Sequence, residues 1–372
     1  MLKLFFVLSL ISFLLAQKED WDSDFIKTEL LSYRVDLFSD GYMIPWGMAF
    51  LPNGDLLVSD ISGKLYRVDN DGKNKKRISG VPKVFYKGQG GLLDIEIHPD
   101  FSNNNFVYIS FSDLKKRSSF TSIARAELRN DKLVNLETIY EAPKKHYSSS
   151  PYHFGSRIVF DEEYVFFSIG DRGVMDEAQN LLKPNGKIHR ILDNGDIPMD
   201  NPYVDRNDAL GSIWCYGNRN PQGLALDEKG NLWELEHGPK GGDELNIIKK
   251  GKNYGWPLIT YGINYNGKII SEKTHMPGME QPVWHWTPSI AVCGMKFYFG
   301  EPFGEWDGNI LVTSLKFEYL ERVVIKNGKR LESEIIFEAG SRVRDVEVGP
   351  NGNIFVALEN PGRIVKLSRA VH

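Results

Sequence analysis

Residues 46–60, WGMAFLPNGDLLVSD, decide the fold of this chain. A short apolar run, residues 46–50, is followed by a turn at residues 52–54 and by a second run, residues 56–60. Proline, asparagine and glycine favour the backbone angles of a tight turn, and runs of this length are typical of strands. The stretch therefore predicts two antiparallel strands joined by a turn.

The same pattern returns along the chain, with copies that begin near residues 93, 156, 222, 294 and 344. A spacing of roughly 45–70 residues suits a four-stranded blade with a variable loop. One blade cannot bury both of its faces alone, so blades stack in a ring. The sequence predicts an all-β fold, a six-bladed β-propeller, in preference to five or seven blades or a pair of β-sandwiches.

The two ends of this repeat region differ from each other. Residues 362–367, GRIVKL, resemble residues 63–68, GKLYRV, at the end of the first unit, so they are predicted as a strand. The polar residues 18–32 carry no such pattern. They are predicted as a lead-in outside the blades.

Residues 1–16 are interpreted as a signal peptide. Lys3 gives a basic start, residues 4–16 are apolar but too few to span a bilayer, and a polar stretch begins at Gln17. No cysteine follows the apolar run, so a lipoprotein anchor is not expected, and an uncleaved membrane anchor is the alternative. The prediction is an exported protein, periplasmic or extracellular, without stable membrane insertion after cleavage. Residues 17–372 then form a single propeller domain.

Composition excludes some functions. The formal net charge of −4 gives no reason to expect nucleic-acid binding. The basic runs at residues 115–116 and 73–77 are interpreted as solvated loops. Cys215 and Cys293 are the only cysteines, and they either pair in an oxidising compartment or remain buried thiols. Without histidines at suitable spacing they do not predict a zinc site.

Polar clusters occur between the predicted strands, where propellers carry their ligand sites. The glycine-rich residues 88–93 would let the backbone approach a ligand closely. His153 is a candidate general base, and Asp171 could fix its tautomer. For each cluster, an ordinary structural role is the alternative.

Three further polar stretches lie later in the chain. Arg219 and Asn220 precede a strand and could bind a carboxylate or an oxyanion. The loop at residues 236–244 offers carbonyls and carboxylates, which suit Ca²⁺ although no EF-hand spacing is present. Lys316, Arg342 and Arg344 would attract anions if they converge on one mouth of the propeller, and are ordinary surface charge if they do not.

Taken together, these stretches resemble the soluble PQQ-dependent glucose and aldose sugar dehydrogenases (PQQ is pyrroloquinoline quinone). The most specific one is residues 217–257, GNRNPQGLALDEKGNLWELEHGPKGGDELNIIKKGKNYGWP. GQGGLLDIEIHPDF, HFGSR, GKIHRI and SRVRDV also occur in the order of the family. The resemblance covers nearly all of the chain after the signal peptide.

The resemblance implies oxidation of an aldose at C1 to a lactone, with PQQ as the hydride acceptor. His153 would be the base, Asp171 would orient it, and Arg219 would stabilise charge on the reduced quinone. The positions that match cofactor contacts of the family are Gln89, Arg219, Asn220, Tyr265, Lys316, Arg342 and Arg344. Backbone carbonyls of Gly238 and Pro239 match a Ca²⁺ site against PQQ, and Glu244 and Tyr254 match a second, structural Ca²⁺ site.

The chain departs from the glucose enzymes at Tyr152, where they carry an acidic residue. The departure favours a broader aldose range than glucose. Two other functions remain as alternatives, a non-catalytic binding propeller and a Ca²⁺-dependent sugar lactonase, which would need a carboxylate-rich centre on the axis. The expected partners are an aldose and an unidentified electron acceptor, and the protein is a monomer or a homodimer.

Overall fold

The computed structural model describes residues 25–370, which form six sheets of antiparallel strands around a central axis. The predicted six-bladed β-propeller is confirmed. Among these residues, no helix is long and apolar enough to cross a bilayer. The signal peptide predicted at residues 1–16 lies outside the described residues.

The first half of the chain builds three blades after two leading strands. The leading strands are β1 (Phe25–Lys27) and β2 (Ser32–Tyr42). The first blade contains β3 (Pro45–Phe50), β4 (Leu56–Asp60), β5 (Lys64–Val68) and β6 (Lys75–Ile78). The second contains β7 (Leu92–Ile97), helix α1 (Phe101–Asn104), β8 (Phe106–Lys115), β9 (Ser118–Arg129) and β10 (Lys132–Tyr140). The third contains β11 (Ile158–Asp161), β12 (Tyr164–Ile169), β13 (Lys187–Leu192) and β14 (Ile213–Tyr216).

The second half builds the other three blades. The fourth contains β15 (Pro221–Leu226), β16 (Leu232–Glu236), β17 (Asp243–Ile248) and β18 (Trp284–Trp286). The fifth contains β19 (Val292–Phe297), β20 (Ile310–Ser314), β21 (Tyr319–Lys326) and β22 (Lys329–Glu338). The sixth contains β23 (Val343–Val348), β24 (Ile354–Leu358) and β25 (Gly362–Arg369). Single turns of 3-10 helix are found at Lys144–His146, Met175–Gln179 and Gly304–Trp306.

The two leading strands complete the sixth blade. That sheet has the order β1-β2-β25-β24-β23, so the N-terminal strands pair with the last strand of the chain. The prediction that residues 18–32 lie outside the blades is therefore wrong for β1, which forms the edge of this sheet. Joining the two ends of the chain in one sheet closes the ring and protects its strand edges.

The hydrophobic core is divided among the interfaces between blades. Each of six apolar clusters joins residues of two adjacent blades; Leu57 and Leu65 of the first blade, for example, pack with Ile95 and Ile109 of the second. Every residue of β4, β16, β20 and β24 is buried, because these second strands are covered on both faces by neighbouring blades. The apolar runs recognised in the sequence are these strands.

A buried ion-pair network crosses the axis. Arg157 Nη1 of the third blade lies 2.9 Å from Asp94 Oδ1 of the second blade and 3.0 Å from Asp345 Oδ1 of the sixth. Asp94 also accepts the Ile158 N–H at 2.7 Å, and Asp345 accepts the Met48 N–H at 3.1 Å. These carboxylates connect the inner strands of neighbouring blades.

Gly47 is required where the first blade meets Asp94. A Cβ at position 47 would lie 2.6 Å from Asp94 Oδ1 and 3.1 Å from Asp94 Cα. Gly47→Ala is expected to lower the free energy of unfolding by about 1–3 kcal/mol, since the inner strands must separate to accept the methyl group. Urea denaturation measures this change. Gly211→Ala is the control, because its Cβ would meet the end of the Ile197 side chain at 3.3 Å and Val204 at an ordinary contact distance of 3.6 Å.

The connections between strands divide between two faces of the ring. We call the mouth face the one that carries the connections between second and third strands, namely residues 61–63, 116–117, 170–186, 237–242, 315–318 and 359–361. The same face carries the connections between blades, namely residues 43–44, 79–91, 141–157, 217–220, 287–291 and 339–342. The opposite face carries the turns between first and second strands and the connections between third and fourth strands, of which the long segment 249–283 also reaches the mouth face.

Candidate active site

The predicted site residues gather on the mouth face. Most of them lie in its connections, and Arg344 is the second residue of β23. Tyr254 and Tyr265 lie in the long segment 249–283, which hydrogen-bonds to residue 216 at the end of β14 and to residues 217 and 240 of the mouth-face connections. Residues far apart in sequence are therefore brought to one end of the channel.

His153 and Asp171 form a hydrogen-bonded pair. His153 Nδ1 lies 2.6 Å from Asp171 Oδ1, and the Asp171 side chain is 1% exposed, against 17% for His153. Because an ionised carboxylate only accepts hydrogen bonds, Nδ1 carries the proton and Nε2 is left as an unprotonated base. This is the arrangement that a general base requires.

The electrostatics of the pair agree with these protonation states. Burial lowers the pKa of His153 below its ordinary value, and the Arg219 charge lowers it further, while Asp171 raises it. Burial alone would raise the pKa of Asp171, but the hydrogen bond with His153 and the charge of Arg219 bring it below its usual range. At neutral pH the pair is a neutral imidazole on an ionised carboxylate.

Trp256 completes this pair, and the sequence analysis did not identify it. Its indole N–H donates to Asp171 Oδ2 at 2.9 Å, and the Gly173 N–H donates to Asp171 Oδ1 at 2.7 Å. Both carboxylate oxygens therefore have fixed partners. The partner residues are 85 positions apart in the chain, and no local pattern in the sequence indicates the contact.

Trp256→Phe is expected to lower kcat about tenfold. The change removes one hydrogen bond to a charged carboxylate, a contact worth about 1.5–3 kcal/mol, so Asp171 and His153 lose part of their fixed orientation. Steady-state dye reduction, the assay for the activity that the family resemblance implies, measures the effect. Trp284→Phe, at a partly exposed position in β18, is the matched control and should leave kcat unchanged.

Gln89 and Asn220 hold the backbone that carries the histidine. Gln89 Oε1 accepts the His153 N–H at 2.7 Å, and Asn220 Oδ1 accepts the Gly155 N–H at 3.1 Å. His153 itself has a φ of 54°, a left-handed conformation that is uncommon for a residue with a side chain. The two amides therefore support a strained backbone at the base.

Arg219 lies above Trp256 and beside the 237–242 turn. Its Nη1 donates to the carbonyls of His237 at 2.9 Å and Gly238 at 2.8 Å, and its guanidinium carbon lies 5.3 Å from the centre of the Trp256 ring. Arg219 Nε and His237 Nε2 are buried atoms without a hydrogen-bond partner. Such atoms are costly unless a ligand or water satisfies them, so they mark a place where one can bind.

The cations converge on His237. Burial lowers the pKa of His237, and the positive charges of Arg219, Arg344 and Arg342 lower it further. These three arginines come from different blades or their connections. Of the three cations that could converge on one mouth, Arg342 and Arg344 lie near Arg219 and His237, whereas Lys316 does not influence His237. A cationic pocket of this kind attracts anions.

Glu359 lies between two of these arginines and was missed in the sequence. It accepts Arg342 Nε at 2.7 Å and Arg344 Nε at 2.7 Å. Burial alone would raise the pKa of Glu359, but the charges of Arg344 and Arg342 hold it below its usual range. Glu359 therefore fixes both side chains and neutralises part of their charge.

Lys316 and Tyr265 are less well fixed. Lys316 is exposed, and it follows Leu315, whose carbonyl accepts Arg342 Nη1 at 3.3 Å. Tyr265 is 73% exposed, on a loop held by the bridge between Lys240 and Ile263. Neither side chain contacts another predicted site residue, so the structure brings them to the rim and not into the pocket.

The residues predicted to bind Ca²⁺ differ in the oxygen atoms that they can offer as ligands. Glu236, Glu244 and Tyr254 line a cavity of about 10 Å³. Burial raises the pKa of both carboxyls, and the Glu244 charge adds to this at Glu236. The Tyr254 hydroxyl is bonded to Ile247 and Lys249, so only its carbonyl is available as a ligand. Buried, mutually repelling carboxylates beside carbonyls suit Ca²⁺.

The fit at the Gly238–Pro239 position is less direct. The Gly238 carbonyl already accepts Arg219 Nη1, so a cation there requires Arg219 to release it. Among residues 25–370, no three His, Cys, Asp or Glu side chains are placed to hold a metal ion together. Any metal bound here would therefore depend on backbone carbonyls.

The two cysteines are separate buried thiols. Cys215 and Cys293 are both free, so of the two possibilities that the sequence left open, the buried thiol is the one observed. Cys293 Sγ lies 3.2 Å from Arg344 Nη1 and 3.4 Å from Gln222 Oε1. It packs beneath the cationic pocket.

Comparison with known proteins gives a consistent result. A family model for glucose/sorbosone dehydrogenases matches residues 42–366. The aldose sugar dehydrogenase YliI of Escherichia coli is 39% identical over 90% of this chain and 92% of its own length. The crystal structure of the soluble aldose sugar dehydrogenase of E. coli, in its apo form, matches with a TM-score of 0.87 and 37% identity, covering 91% of this chain and 100% of that one. A PQQ-bound aldose sugar dehydrogenase from Streptomyces coelicolor matches with a TM-score of 0.76 and 27% identity, covering 90% and 98%.

Proposed function

The chain belongs to the glucose/sorbosone dehydrogenase family, and we propose that it oxidises aldose sugars at C1 to lactones with bound PQQ and Ca²⁺. The observation that carries the proposal is the His153–Asp171 pair, which faces a cationic pocket at the mouth of the propeller. The PQQ-bound relative supports the choice of cofactor.

The pocket suits an anionic quinone. PQQ carries three carboxylates, and guanidinium groups bind carboxylates with paired hydrogen bonds. Arg219, Arg342 and Arg344 would hold it, with Lys316, Gln89, Asn220 and Tyr265 as further contacts. The unpartnered Arg219 Nε and His237 Nε2 are donors or acceptors that such a ligand would satisfy. When bound, the quinone supplies a hydride acceptor, and Ca²⁺ supplies a Lewis acid.

The protein contributes proton transfer and orientation. Nε2 of His153 takes the proton of the anomeric hydroxyl, and Asp171 stabilises the resulting imidazolium. Trp256 and the Gly173 N–H hold Asp171 in place throughout. Arg219 lies where it can stabilise negative charge that develops on an oxygen of the bound ligand.

The substrate is proposed to be an aldose of broad range. Tyr152 is 55% exposed next to His153, and its ring lies 6.5 Å from the imidazole. An exposed aromatic ring offers an apolar surface to a sugar without selecting one pattern of hydroxyls. Comparing kcat/KM for several aldoses tests this choice.

The deciding experiment is reconstitution of the purified chain. Adding PQQ and Ca²⁺ should give aldose-dependent reduction of an artificial dye, and a chelator added before PQQ should prevent it. The absence of dye reduction with every aldose at full PQQ occupancy would contradict the proposal. Ring opening of a sugar lactone without PQQ would instead support a lactonase.

Export is a separate part of the proposal. Residues 1–16 are proposed to be removed as a signal peptide, which places the protein in a periplasm or outside the cell. N-terminal sequencing of the native protein tests this, with Gln17 expected as the first residue. A retained Met1 in a membrane fraction would indicate an anchor instead.

A further inference from the structure

The mouth face carries exposed cations that have no carboxylate partner. They lie outside the pocket, in connections of several blades, and they are Lys83, Lys87, Lys116, Arg117, Lys144, Lys145 and Lys240. Within residues 25–370, none of them forms an ion pair with a carboxylate. In the mouth-face connections, Asp176 and the half-buried Glu318 are the unpaired carboxylates that oppose them. The cofactor proposed above does not explain these outer cations.

The opposite face has the reverse character. Its exposed carboxylates without an ion-pair partner are Asp100, Glu162, Glu163, Asp196, Asp205, Glu228, Glu301 and Asp307. Cations near this face are often neutralised, as Arg206 is by Asp208 at 2.7 Å and Lys73 by Asp71 at 2.6 Å. Unpaired exposed cations also occur at this face, namely Lys132, Lys229, Lys326 and Lys329, but the unpaired carboxylates outnumber them. The two faces therefore differ in the sign of their unpaired charge, although the total charge is slightly negative.

Exposed aromatic side chains accompany the cations. Tyr86, Tyr152 and Phe317 are each about half exposed, and all three lie in mouth-face connections. Exposed aromatic residues are typical of the energetically important parts of protein interfaces. Lysines around them act mainly by attracting an oppositely charged partner. A small anion would reach only the pocket, whereas cations distributed over several blades match an extended carboxylate surface.

We propose that the mouth face is the docking surface for an acidic electron-acceptor protein. This proposal rests on the proposed function. Each aldose that becomes a lactone gives up two electrons and two protons. Two one-electron acceptor molecules take the electrons in turn and the protons go to solvent. The quinone pocket opens on this face, so an acceptor must approach here, and complementary charge accelerates its encounter.

Cytochrome c provides a matched pair of probes. The native haem protein is cationic, and succinylation of its lysines makes the same protein anionic. At low ionic strength, the sugar-reduced enzyme should reduce the anionic form at least about tenfold faster, and the difference should vanish at high salt. Binding of the unloaded chain to both forms, measured by calorimetry, should show the same preference. This binding measurement does not depend on turnover.

Charge reversal locates the surface. The double variant Lys116→Glu/Arg117→Glu should lose most of the preference for the anionic cytochrome. Its reduction of an uncharged dye should stay unchanged, because these residues lie on the rim. Lys229→Glu, in an exposed turn of the opposite face, is the control and should change nothing. Failure to reduce the uncharged dye would contradict the proposed function, whereas equal binding of both cytochromes would overturn the docking surface.

Anionic vesicles test the alternative that this basic surface binds a lipid membrane and not an acidic protein. Vesicles of phosphatidylglycerol and phosphatidylcholine should bind the wild type and the double variant equally weakly. Strong binding that the double variant loses, together with no preference between the cytochromes, would assign the face to a lipid surface and overturn the proposal.

Discussion

His153→Ala is expected to lower kcat by about 10²- to 10⁴-fold, the usual contribution of a positioned general base. The imidazole Nε2 is the nitrogen left to take a proton from a substrate, because Nδ1 is bonded to Asp171. Without it, the anomeric proton must pass to water. Steady-state dye reduction with a saturating aldose measures the loss.

The binding of PQQ should survive this substitution. The groups proposed to hold the cofactor are arginines whose positions depend on Glu359, His237 and Gly238, and none of these contacts includes the His153 side chain. A PQQ titration followed by tryptophan fluorescence should therefore give nearly the wild-type affinity. His275→Ala, an exposed position, is the control for loss of a histidine. Wild-type turnover by His153→Ala would refute the assigned base.

Much of the fold could be predicted from the sequence, because the second strands of the blades are buried on both faces. Such strands require continuous apolar runs, and residues 56–58 and 310–312 show them clearly. The closing strands were harder to predict. β1 lies at the edge of its sheet, pairs only with β2, and has no fully buried residue. Its sequence therefore needs no run of apolar residues.

Only part of the site could be predicted from the sequence, because local motifs reveal some of its residues and tertiary contacts determine the others. His153, Asp171 and Arg219 lie in short ordered motifs, which a family resemblance detects. Trp256 acts on a residue 85 positions away, through the packing of segment 249–283 over the third blade. Glu359 acts on residues 15–17 positions away, through the pairing of β23 with β24 in the sixth blade. The grouping of unpaired cations on the mouth face could not be predicted from the sequence either, since successive turns of one blade point to opposite faces.

Asp171→Asn is expected to lower kcat by about 10²-fold or more. Asp171 Oδ1 accepts two hydrogen bonds, from His153 and Gly173, and Oδ2 accepts the Trp256 indole N–H. An amide has a single acceptor atom. If its oxygen stays at the Oδ1 position, its NH₂ group opposes the indole N–H; if it turns, the NH₂ group donates to His153 Nδ1 and forces the tautomer with a protonated Nε2.

The pH dependence separates the charge of Asp171 from its geometry. A base acts only when it is neutral, so activity of the wild type should fall as the pH drops through the pKa of His153, which lies below its ordinary value. The Asp171 charge raises that pKa, and the asparagine substitution removes the charge. The acid limb of kcat/KM should therefore move to lower pH in Asp171→Asn, although the plateau is lower. A shift to higher pH would contradict the assigned pair.

The double variant Asp171→Asn/Trp256→Phe tests the geometry directly. In the wild type, Trp256→Phe removes a favourable hydrogen bond, but beside the introduced asparagine it removes one of two opposed donors. The second substitution should therefore cost less kcat in the Asp171→Asn background than in the wild type, or restore some of it. Residues in one hydrogen-bond network show such non-additivity, with coupling of about 0.5–3 kcal/mol. Strictly additive effects would mean that Trp256 acts on the site only through packing and not through the carboxylate that orients His153.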